Sequence, residues 1–300
     1  MFCIQLNGGL GNQMFQYAFG RAISEKHRIP FTIDCTILEN LSQKVDYTLR
    51  DFELDIFQLK VNNAHKEQLI KYKPSVLYKI NYRLNKLLKL PVFLTSNVVT
   101  EKQFNLKLDN ELLSSKDLYF SGYWQSEAYF KSIDSIIRSD FTFKPRLNNK
   151  NLKLKNKIDA SNSVSIHIRR GDYVNNPSAF KTHGVCSIEY YNKSIEEIKQ
   201  RIKDPVFFIF SDDFEWVREN KFEISNYELV DWNHGKESYI DMQMMSYCKH
   251  NIIANSSFSW WGAWLNNNSD KVVIAPKQWF ADDVKNANSE KLIPKQWKKL

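Results

Sequence analysis

Glycine is scarce in this sequence: 300 residues contain nine glycines, and three of them, Gly8, Gly9 and Gly11, lie within four positions. Cysteine is also rare, and the four cysteines are scattered without a C-x-x-C pair. Scattered thiols of this kind are typical of free, buried cysteines in a reducing compartment. The low glycine content and the 14 % aromatic content exclude collagen-like, low-complexity and disordered proteins.

Long apolar runs are missing as well. No stretch reaches the ~18 consecutive apolar residues that a membrane-spanning helix requires. The apolar N-terminal run stops at Asn7 and has no basic residue before it, so no secretory signal is predicted. We therefore expect a cytoplasmic protein, and a chain of this length usually forms about two domains.

Acidic residues are nearly absent from two basic segments. Residues 60–107 hold ten Lys and Arg against two acids, and residues 144–157 hold six Lys and Arg and no acid. Apolar residues at near-helical spacing between Leu69 and Leu88 predict a surface helix with a lysine face. That face is either simply solvated or a peripheral contact with the inner face of an anionic membrane. No aromatic-studded basic motif accompanies the charge, so we expect no nucleic-acid partner.

Apolar runs of strand length alternate with helical patterns, which predicts a parallel sheet covered on both faces. The first 155 residues contain predicted strands at 1–6, 29–33, 92–94 and 118–120 and predicted helices at 14–23 and 126–137. After residue 160, strands are predicted at 164–168, 206–210, 252–254 and 272–275, and helices at 187–202, 237–249 and 257–266. The Asn- and Lys-rich stretch 148–157 is the predicted boundary between a domain of residues 1–155 and a domain of residues 156–300.

Polar clusters follow four of the predicted strands. They are the segments Asn7–Gln13, Arg169–Tyr173, Ser211–Asp213 and Asn255–Ser257. Ligands of parallel α/β sheets bind at the carboxyl ends of the strands. We therefore expect the four clusters to form one site, or two facing halves of one.

Each cluster allows a binding role beside a structural one. The fork of Arg169, with Arg170 beside it, suits phosphate oxygens, although a surface ion pair with Asp172 is the alternative. Asn255, Ser256 and Ser257 either cap the following helix or bind an anion at its N-terminus. Ser211, Asp212 and Asp213 either accept from ribose hydroxyls or cap a helix. Trp260, Trp261 and Trp264 in that helix are predicted to pack in the core or between domains.

The glycine loop imitates a dinucleotide-binding fingerprint. Gly9 and Gly11 are followed at the end of the next predicted strand by Asp34, but Met14 stands where the third glycine is needed. This argues against a nicotinamide enzyme. The loop still offers the amides of Asn12 and Gln13, which suit hydroxyl-rich ligands.

Other expected motifs are missing. The sequence has no Asp-x-Asp metal clamp, no Walker A loop, no Gly-x-Ser-x-Gly and no zinc-like spacing of His and Cys. We therefore expect no metal and no cofactor. The residues favour an enzyme that holds a nucleotide-activated substrate with arginine and backbone dipoles. A binding protein without turnover is the second hypothesis, and a nucleotide-linked oxidoreductase is the third.

Three segments together resemble a known family. GGLGNQMFQY from Gly8, HIRRGDY from His167 and NSSFSWWGAW from Asn255 resemble the α-1,2-fucosyltransferases of glycosyltransferase family 11, and the bacterial members most. The resemblance implies a GT-B-type α/β fold of two Rossmann-like domains with the donor site in the cleft, mainly on the C-terminal domain. It also implies inverting, metal-independent transfer of L-fucose from GDP-L-fucose to the 2-hydroxyl of a terminal β-galactoside, on a glycan of O-antigen type or on lactose.

The resemblance also implies roles for individual residues. Arg169 would hold the β-phosphate with help from Arg170, and Asn12 would face the fucose and the acceptor. The remaining residues implied to bind the donor are His167, Gly11, Ser211, Asp212, Asp241, Asn255, Ser256, Ser257 and Phe258. The general base stays open among Asp172, Asp34 and Glu127.

Overall fold

The computed structural model describes residues 1–40, 50–59, 62–72, 97–101 and 116–300. These residues form two sheets, one before residue 122 and one after residue 161, with helices packed against them. All strand pairs within the two sheets are parallel. The predicted α/β class is therefore confirmed, and so is the GT-B-type arrangement of two Rossmann-like units.

The first sheet has β1 at its centre. Its strands are β1 (Phe2–Gln5), β2 (Phe31–Asp34), β3 (Asn62–Asn63), β4 (Val98–Thr100) and β5 (Leu118–Ser121), in the order β3-β2-β1-β5-β4. Its helices are α1 (Leu10–His27), α2 (Thr36–Asn40) and α3 (Lys66–Ile70). From β1 the chain adds β2 and then β3 on one side of the sheet. The later strands β4 and β5 lie on the other side of β1, with β5 next to it. The point where the strand order reverses therefore lies between β1 and β5.

The second sheet repeats this plan around β6. Its strands are β6 (Asn162–Ile168), β7 (Pro205–Ser211), β8 (Tyr227–Val230), β9 (His250–Ile252), β10 (Val273–Ala275) and β11 (Lys298–Lys299), in the order β11-β10-β9-β6-β7-β8. Here the strand order reverses between β6 and β9. In open α/β sheets, the crevice at such a point is where ligands bind.

Most of the remaining helices connect these strands. They are α4 (Asp134–Asp140), α5 (Asn149–Asp159), α6 (Gly171–Asn175), α7 (Pro177–His183), α8 (Ile188–Arg201), α9 (Phe214–Glu219), α10 (Tyr239–Tyr247), α11 (Ser257–Leu265) and α12 (Asp283–Asn288). The helices predicted at 187–202, 237–249 and 257–266 are confirmed as α8, α10 and α11. The Ser187 side chain caps α8 by accepting a hydrogen bond from the backbone N–H of Tyr190.

The helix predicted over 126–137 is wrong. Two short 3-10 turns, Glu127–Tyr129 and Lys131–Ile133, precede α4, which begins only at Asp134. The backbone leaves the helical region at Phe130, where φ is −127° and the side chain is fully buried. Packing of this one aromatic ring therefore overrides the helical spacing of the sequence.

The predicted domain boundary 148–157 forms a helix. Asn148 caps α5 by accepting from the backbone N–H of Asn151, and the apolar face of α5 buries Leu154 and Ile158. Lysines of this basic segment have partners within the protein, since Lys157 pairs with Glu228 and Lys150 lies 3.9 Å from the centre of the Trp232 ring. Most of the other basic segment, including the predicted helix beyond residue 72 and the strand at 92–94, lies outside the described residues.

An aromatic cluster joins the two units. Trp260 and Trp261 on α11 are fully buried against Phe15 on α1, with ring centroids 4.5 and 4.9 Å apart. Phe130 stacks on Trp261 at 5.4 Å. The prediction that the tryptophans pack in the core or between domains is confirmed, because all three are buried. Their packing on Phe15 fixes α11 against α1.

The four cysteines are free and buried, as predicted. Over the stretches of chain described above, no helix combines the length and the apolar character needed to cross a bilayer.

Candidate functional site

The predicted polar clusters lie at the carboxyl edges of the two sheets. In the second sheet, β6 leads into Arg169, β7 into Asp212 and β9 into Asn255. Because β6 lies between β7 and β9 and all three are parallel, the clusters meet at one edge. Arg169 contacts Asp212, and the Tyr173 hydroxyl lies 3.4 Å from the carbonyl oxygen of Asn255. The expectation of a shared site is confirmed for this half.

Two carboxylates hold the Arg169 guanidinium. Its Nη2 lies 2.6 Å from Asp172 Oδ1, and its Nη1 lies 2.8 Å from Asp212 Oδ2. Burial alone would lower the pKa of Arg169, but the two carboxylates outweigh burial and raise it. A guanidinium has five N–H donors. Arg169 is therefore a charged guanidinium that is held by two carboxylates and keeps further N–H donors for an anionic ligand.

The neighbouring Arg170 points elsewhere. Its Nε pairs with Asp213 Oδ2 at 3.1 Å, and its guanidinium lies 4.4 Å from the centre of the Trp216 ring. A Cβ at Gly171 would lie 2.6 Å from Asp212 Oδ2, so this glycine makes room for the carboxylate that holds Arg169.

His167 is a neutral, buried imidazole in this site. Burial and the charge of Arg169 lower the pKa of His167 to about 3. Its Nδ1 is buried and has no hydrogen-bond partner among the described residues. The ring lies beside Phe258, with centroids 5.6 Å apart. His167 can therefore offer a hydrogen bond to a ligand but no charge.

The serine cluster begins α11. The Ser256 hydroxyl accepts from the backbone N–H of Phe258 at 3.3 Å, and Ser257 is half-buried at the first helical position. Asn255 is buried and donates to the carbonyl oxygens of His183 and Trp279, so its side chain braces the loop. The N-terminus of α11 can accept an anion through its backbone N–H groups.

Three further predicted residues, Ser211, Asp213 and Asp241, have protein partners. The Ser211 hydroxyl accepts from the backbone N–H of Asp213, and Asp213 caps α9 through the N–H of Trp216. Asp241 is buried in the first turn of α10, where Oδ1 accepts from Asn233 at 2.8 Å. Burial raises the pKa of Asp241 to about 8, although the Asn233 amide acts in the opposite direction.

The glycine loop, residues 7–13, reaches this site from the first sheet. A Cβ at Gly11 would lie 2.5 Å from the carbonyl carbon of Ser257, and the Trp261 indole N–H donates to the Gly11 carbonyl oxygen at 3.0 Å. The half-buried Asn12 follows, with its Oδ1 accepting from Gln125 Nε2 at 2.7 Å. The expected meeting of the glycine loop and the serine cluster is thus confirmed.

Two buried glutamines on α1 fix the glycine loop to its neighbours. Gln13 donates to the carbonyl oxygens of Gly8 and Asp51 and accepts from the N–H of Glu53. The prediction that Gln13 offers its amide to a ligand is wrong, because the side chain is fully buried and satisfied. Gln16 accepts from the N–H of Asn7 and donates to the carbonyl oxygen of Gly122.

Arg50 and Glu53 belong to the site and carry no signal in the sequence. Arg50 Nη2 lies 3.1 Å from Asp172 Oδ2, so Asp172 bridges two guanidiniums, Arg50 and Arg169. Glu53 accepts from the N–H of Leu10 at the start of α1. Burial raises the pKa of Glu53. The charges of Arg50 and Arg169 lower this pKa, but burial outweighs them. A single arginine in the segment Leu49–Glu53 matches no motif, and only the fold brings it to the site.

The three candidate bases have different surroundings. Asp34 is buried and accepts from the Tyr119 hydroxyl and the N–H of Thr36. Glu127 accepts from the Trp264 indole. Only Asp172 lies in the arginine cluster. In the parts of the chain covered by the structure, no group of three or more His, Cys, Asp or Glu could hold a metal ion.

Comparison with known proteins shows the family of this chain. The sequence model of glycosyl transferase family 11 matches residues 1–300. An α-1,2-colitosyltransferase of Escherichia coli is 38 % identical over 99 % of this chain and 97 % of its own. The O-antigen biosynthesis glycosyltransferase WbnK of Escherichia coli is 36 % identical over 97 % of this chain and 98 % of its own. A galactoside α-(1,2)-fucosyltransferase 1 of Ateles belzebuth is 29 % identical over 53 % of this chain and 45 % of its own.

Proposed function

Because the chain belongs to glycosyl transferase family 11, we propose that it transfers L-fucose from GDP-L-fucose to the 2-hydroxyl of a terminal β-galactoside, with inversion and without a metal. Relatives named as α-1,2-transferases support the linkage. WbnK, a relative in O-antigen biosynthesis, supports a bacterial surface glycan as the acceptor. The observation that carries the proposal is Arg169, a fixed guanidinium at the carboxyl edge of β6, the strand next to β9, after which α11 begins.

The proposed mechanism rests on charge. Breaking the bond between fucose and the diphosphate leaves negative charge on the nucleotide and oxocarbenium character on the sugar. Donors already fixed in place stabilise such charge without reorganising, which is often the largest catalytic contribution. Arg169 and the backbone N–H of Ser257, the first residue of α11, are the donors proposed for this role. His167, Asp241 and Ser256 complete the proposed donor site, and Asn12 faces the transferred sugar from the other unit.

Asp172 has a different proposed role from that of a general base. Each of its carboxylate oxygens faces one guanidinium, Oδ1 that of Arg169 and Oδ2 that of Arg50. A base needs a lone pair directed at the acceptor hydroxyl. Asp172 therefore serves to position Arg169, and the reaction relies on a dissociative transition state that needs little help from a base.

Colitose is a second candidate for the transferred sugar. The 38 % identical colitosyltransferase favours it, and colitose differs from fucose in lacking the 3-hydroxyl. An enzyme site that hydrogen-bonds a hydroxyl rejects the sugar that lacks it by a large factor. Rates with GDP-fucose and GDP-colitose at equal concentration therefore separate the two donors.

The test uses purified protein, GDP-fucose, lactose and excess EDTA. Formation of 2′-fucosyllactose in the presence of EDTA supports the proposal. No product with any β-galactoside, while GDP-fucose still binds, supports a binding protein instead. A rate that requires added Mg²⁺ or Mn²⁺ contradicts the metal-independent mechanism.

Cytoplasmic location with peripheral membrane contact stays a proposal. It rests on the basic segments 60–107 and 144–157, which carry sixteen Lys and Arg between them. Co-sedimentation with anionic vesicles tests it, and binding that ignores both salt and anionic lipid contradicts it.

A further inference from the structure

A second loop flanks the point where the strand order of the first sheet reverses. The glycine loop follows β1, and residues 122–126, which we name the tyrosine loop, follow β5. β1 and β5 are parallel neighbours, so the two loops lie side by side at one edge. Buried Gln16 joins them, with Nε2 at 3.0 Å from the Gly122 carbonyl oxygen and Oε1 at 2.9 Å from the N–H of Asn7. The loops therefore form one surface.

The tyrosine loop is held in an unusual conformation. Trp124 has φ of +55°, in the left-handed region that bulky side chains rarely adopt. Its ring is fully buried and stacks on Phe19, with centroids 3.9 Å apart. Glu101 Oε2 accepts from the backbone N–H groups of both Tyr123 and Trp124, at 2.9 and 2.7 Å. Strain of this kind persists where the surrounding structure enforces it, and it concentrates at binding sites.

The tyrosine loop and the glycine loop together present an aromatic ring and side-chain amides on the same surface. Tyr123 is 43 % exposed, and Asn7 Nδ2 lies 3.4 Å from its hydroxyl. Gln125 donates to Asn12 Oδ1 at 2.7 Å. A pyranose has an apolar C–H face and a rim of hydroxyl groups. An aromatic ring beside side-chain amides matches both features, because amides donate to and accept from hydroxyls.

We propose that Asn7, Asn12, Tyr123 and Gln125 form the subsite for the acceptor galactoside, with Tyr123 as the platform for the sugar ring. This inference rests on the proposed function. Asn12 is adjacent to Gly11, which touches Ser257 at the start of α11. The reactive hydroxyl therefore lies on the Asn12 side, next to the donor, and the glycan extends toward Tyr123.

The experiment compares Tyr123→Ala and Tyr123→Phe with Tyr227→Ala as the matched control. Tyr227 is 50 % exposed at the amino end of β8 in the second sheet, whereas both loops follow the carboxyl ends of strands in the first sheet. Two rates are measured: fucosyl transfer against lactose concentration, and hydrolysis of GDP-fucose without acceptor. We expect Tyr123→Ala to raise the KM for lactose about tenfold or more and to leave hydrolysis within about twofold. Tyr123→Phe keeps the platform and raises KM by less than about threefold.

An unchanged KM for lactose in Tyr123→Ala, or an equal loss of transfer and hydrolysis, overturns the inference. Saturation-transfer NMR with lactose gives a second readout that does not depend on the donor. Wild-type protein that binds lactose but transfers no fucose contradicts the proposed function and leaves the subsite standing. Wild-type protein that transfers fucose, with lactose contacts unchanged in Tyr123→Ala, contradicts only the subsite.

Discussion

At the scale of single residues, Arg169 is the group whose surroundings say most about its chemistry. Asp172 and Asp212 fix its guanidinium before any ligand arrives, so no reorganisation is needed when charge develops on a leaving group. The His-x-Arg-Arg-Gly-Asp segment singled out Arg169, and its role in binding a diphosphate stays a prediction. The sequence did not predict that Asp212 also pairs with Arg169, whereas Arg170 pairs with Asp213.

We predict that Arg169→Ala lowers kcat more than about 100-fold, as loss of a fixed oxyanion donor does elsewhere. The measurement is GDP release at saturating GDP-fucose and acceptor. Arg218→Ala is the control, because Arg218 on α9 forms an exposed ion pair with Asp231. Near-normal turnover in Arg169→Ala contradicts the assignment.

The raised pKa of Asp241 predicts how the stability of the protein depends on pH. Burial raises its pKa from an ordinary 3.8 to about 8 in the folded protein, so folding favours the protonated form. The contribution of the protonated Asp241 carboxyl to the unfolding free energy is complete below pH 3.8. It is lost as the pH rises through 8. Between pH 5 and 8 we expect wild type to lose up to about 1 kcal/mol of unfolding free energy per pH unit relative to Asp241→Asn. Urea unfolding across that range measures this loss, and parallel profiles for the two proteins contradict it.

At the scale of elements, the contact of the glycine loop with α11 decides how closely the two halves of the site approach. The sequence places three glycines in this loop but does not show which one the fold requires. The contact distances separate them, because a Cβ at Gly11 would overlap the Ser257 backbone whereas a Cβ at Gly9 would lie 3.5 Å from the Arg50 side chain.

We therefore predict opposite outcomes for two neighbouring substitutions. Gly11→Ala forces α1 and α11 apart, and we expect a loss of about 1–3 kcal/mol of stability and at least tenfold weaker GDP binding. Gly9 has φ of −77°, and a Cβ at this position would make only ordinary van der Waals contacts. Stability and GDP binding should therefore change little in Gly9→Ala. Thermal unfolding and calorimetric GDP titration measure them. Equal effects at the two positions contradict the role of the Gly11 contact.

Elements are predictable from sequence where local pattern and burial agree. β6 and β7 follow from apolar runs, and α8 follows from its spacing and its Ser187 cap. The helix over 126–137 fails because Phe130 inserts among the tryptophans of α11, a contact more than a hundred residues distant in sequence. β8 and β11 are short edge strands whose pairing, rather than composition, defines them.

At the scale of the whole molecule, the site exists only where the two units meet. The points of reversed strand order, β1/β5 and β6/β9, carry the glycine loop and the arginine cluster. The tryptophans of α11 fix these halves against each other. Arg50 in the first unit also forms an ion pair with Asp172 in the second unit. No sequence motif could predict this pair, because it depends on how both units are placed.

The final prediction concerns this cross-unit ion pair. Arg50 is 31 % exposed and lies 3.1 Å from Asp172. Arg21 on α1 is 28 % exposed, lies 3.1 Å from Asp140 and also pairs with Glu25. Partly exposed pairs contribute about 0–1 kcal/mol to stability, so Arg50→Gln and Arg21→Gln should lower the melting temperature similarly. Only Arg50→Gln removes an ion-pair partner of Asp172. The Asp172 carboxylate then attracts the guanidinium of Arg169 alone. We expect Arg50→Gln to lower kcat/KM for the donor about tenfold, roughly 1.4 kcal/mol, and Arg21→Gln to leave it unchanged. Equal kcat/KM values in the two variants, at equal stability, would show that the ion pair does not position the arginine cluster.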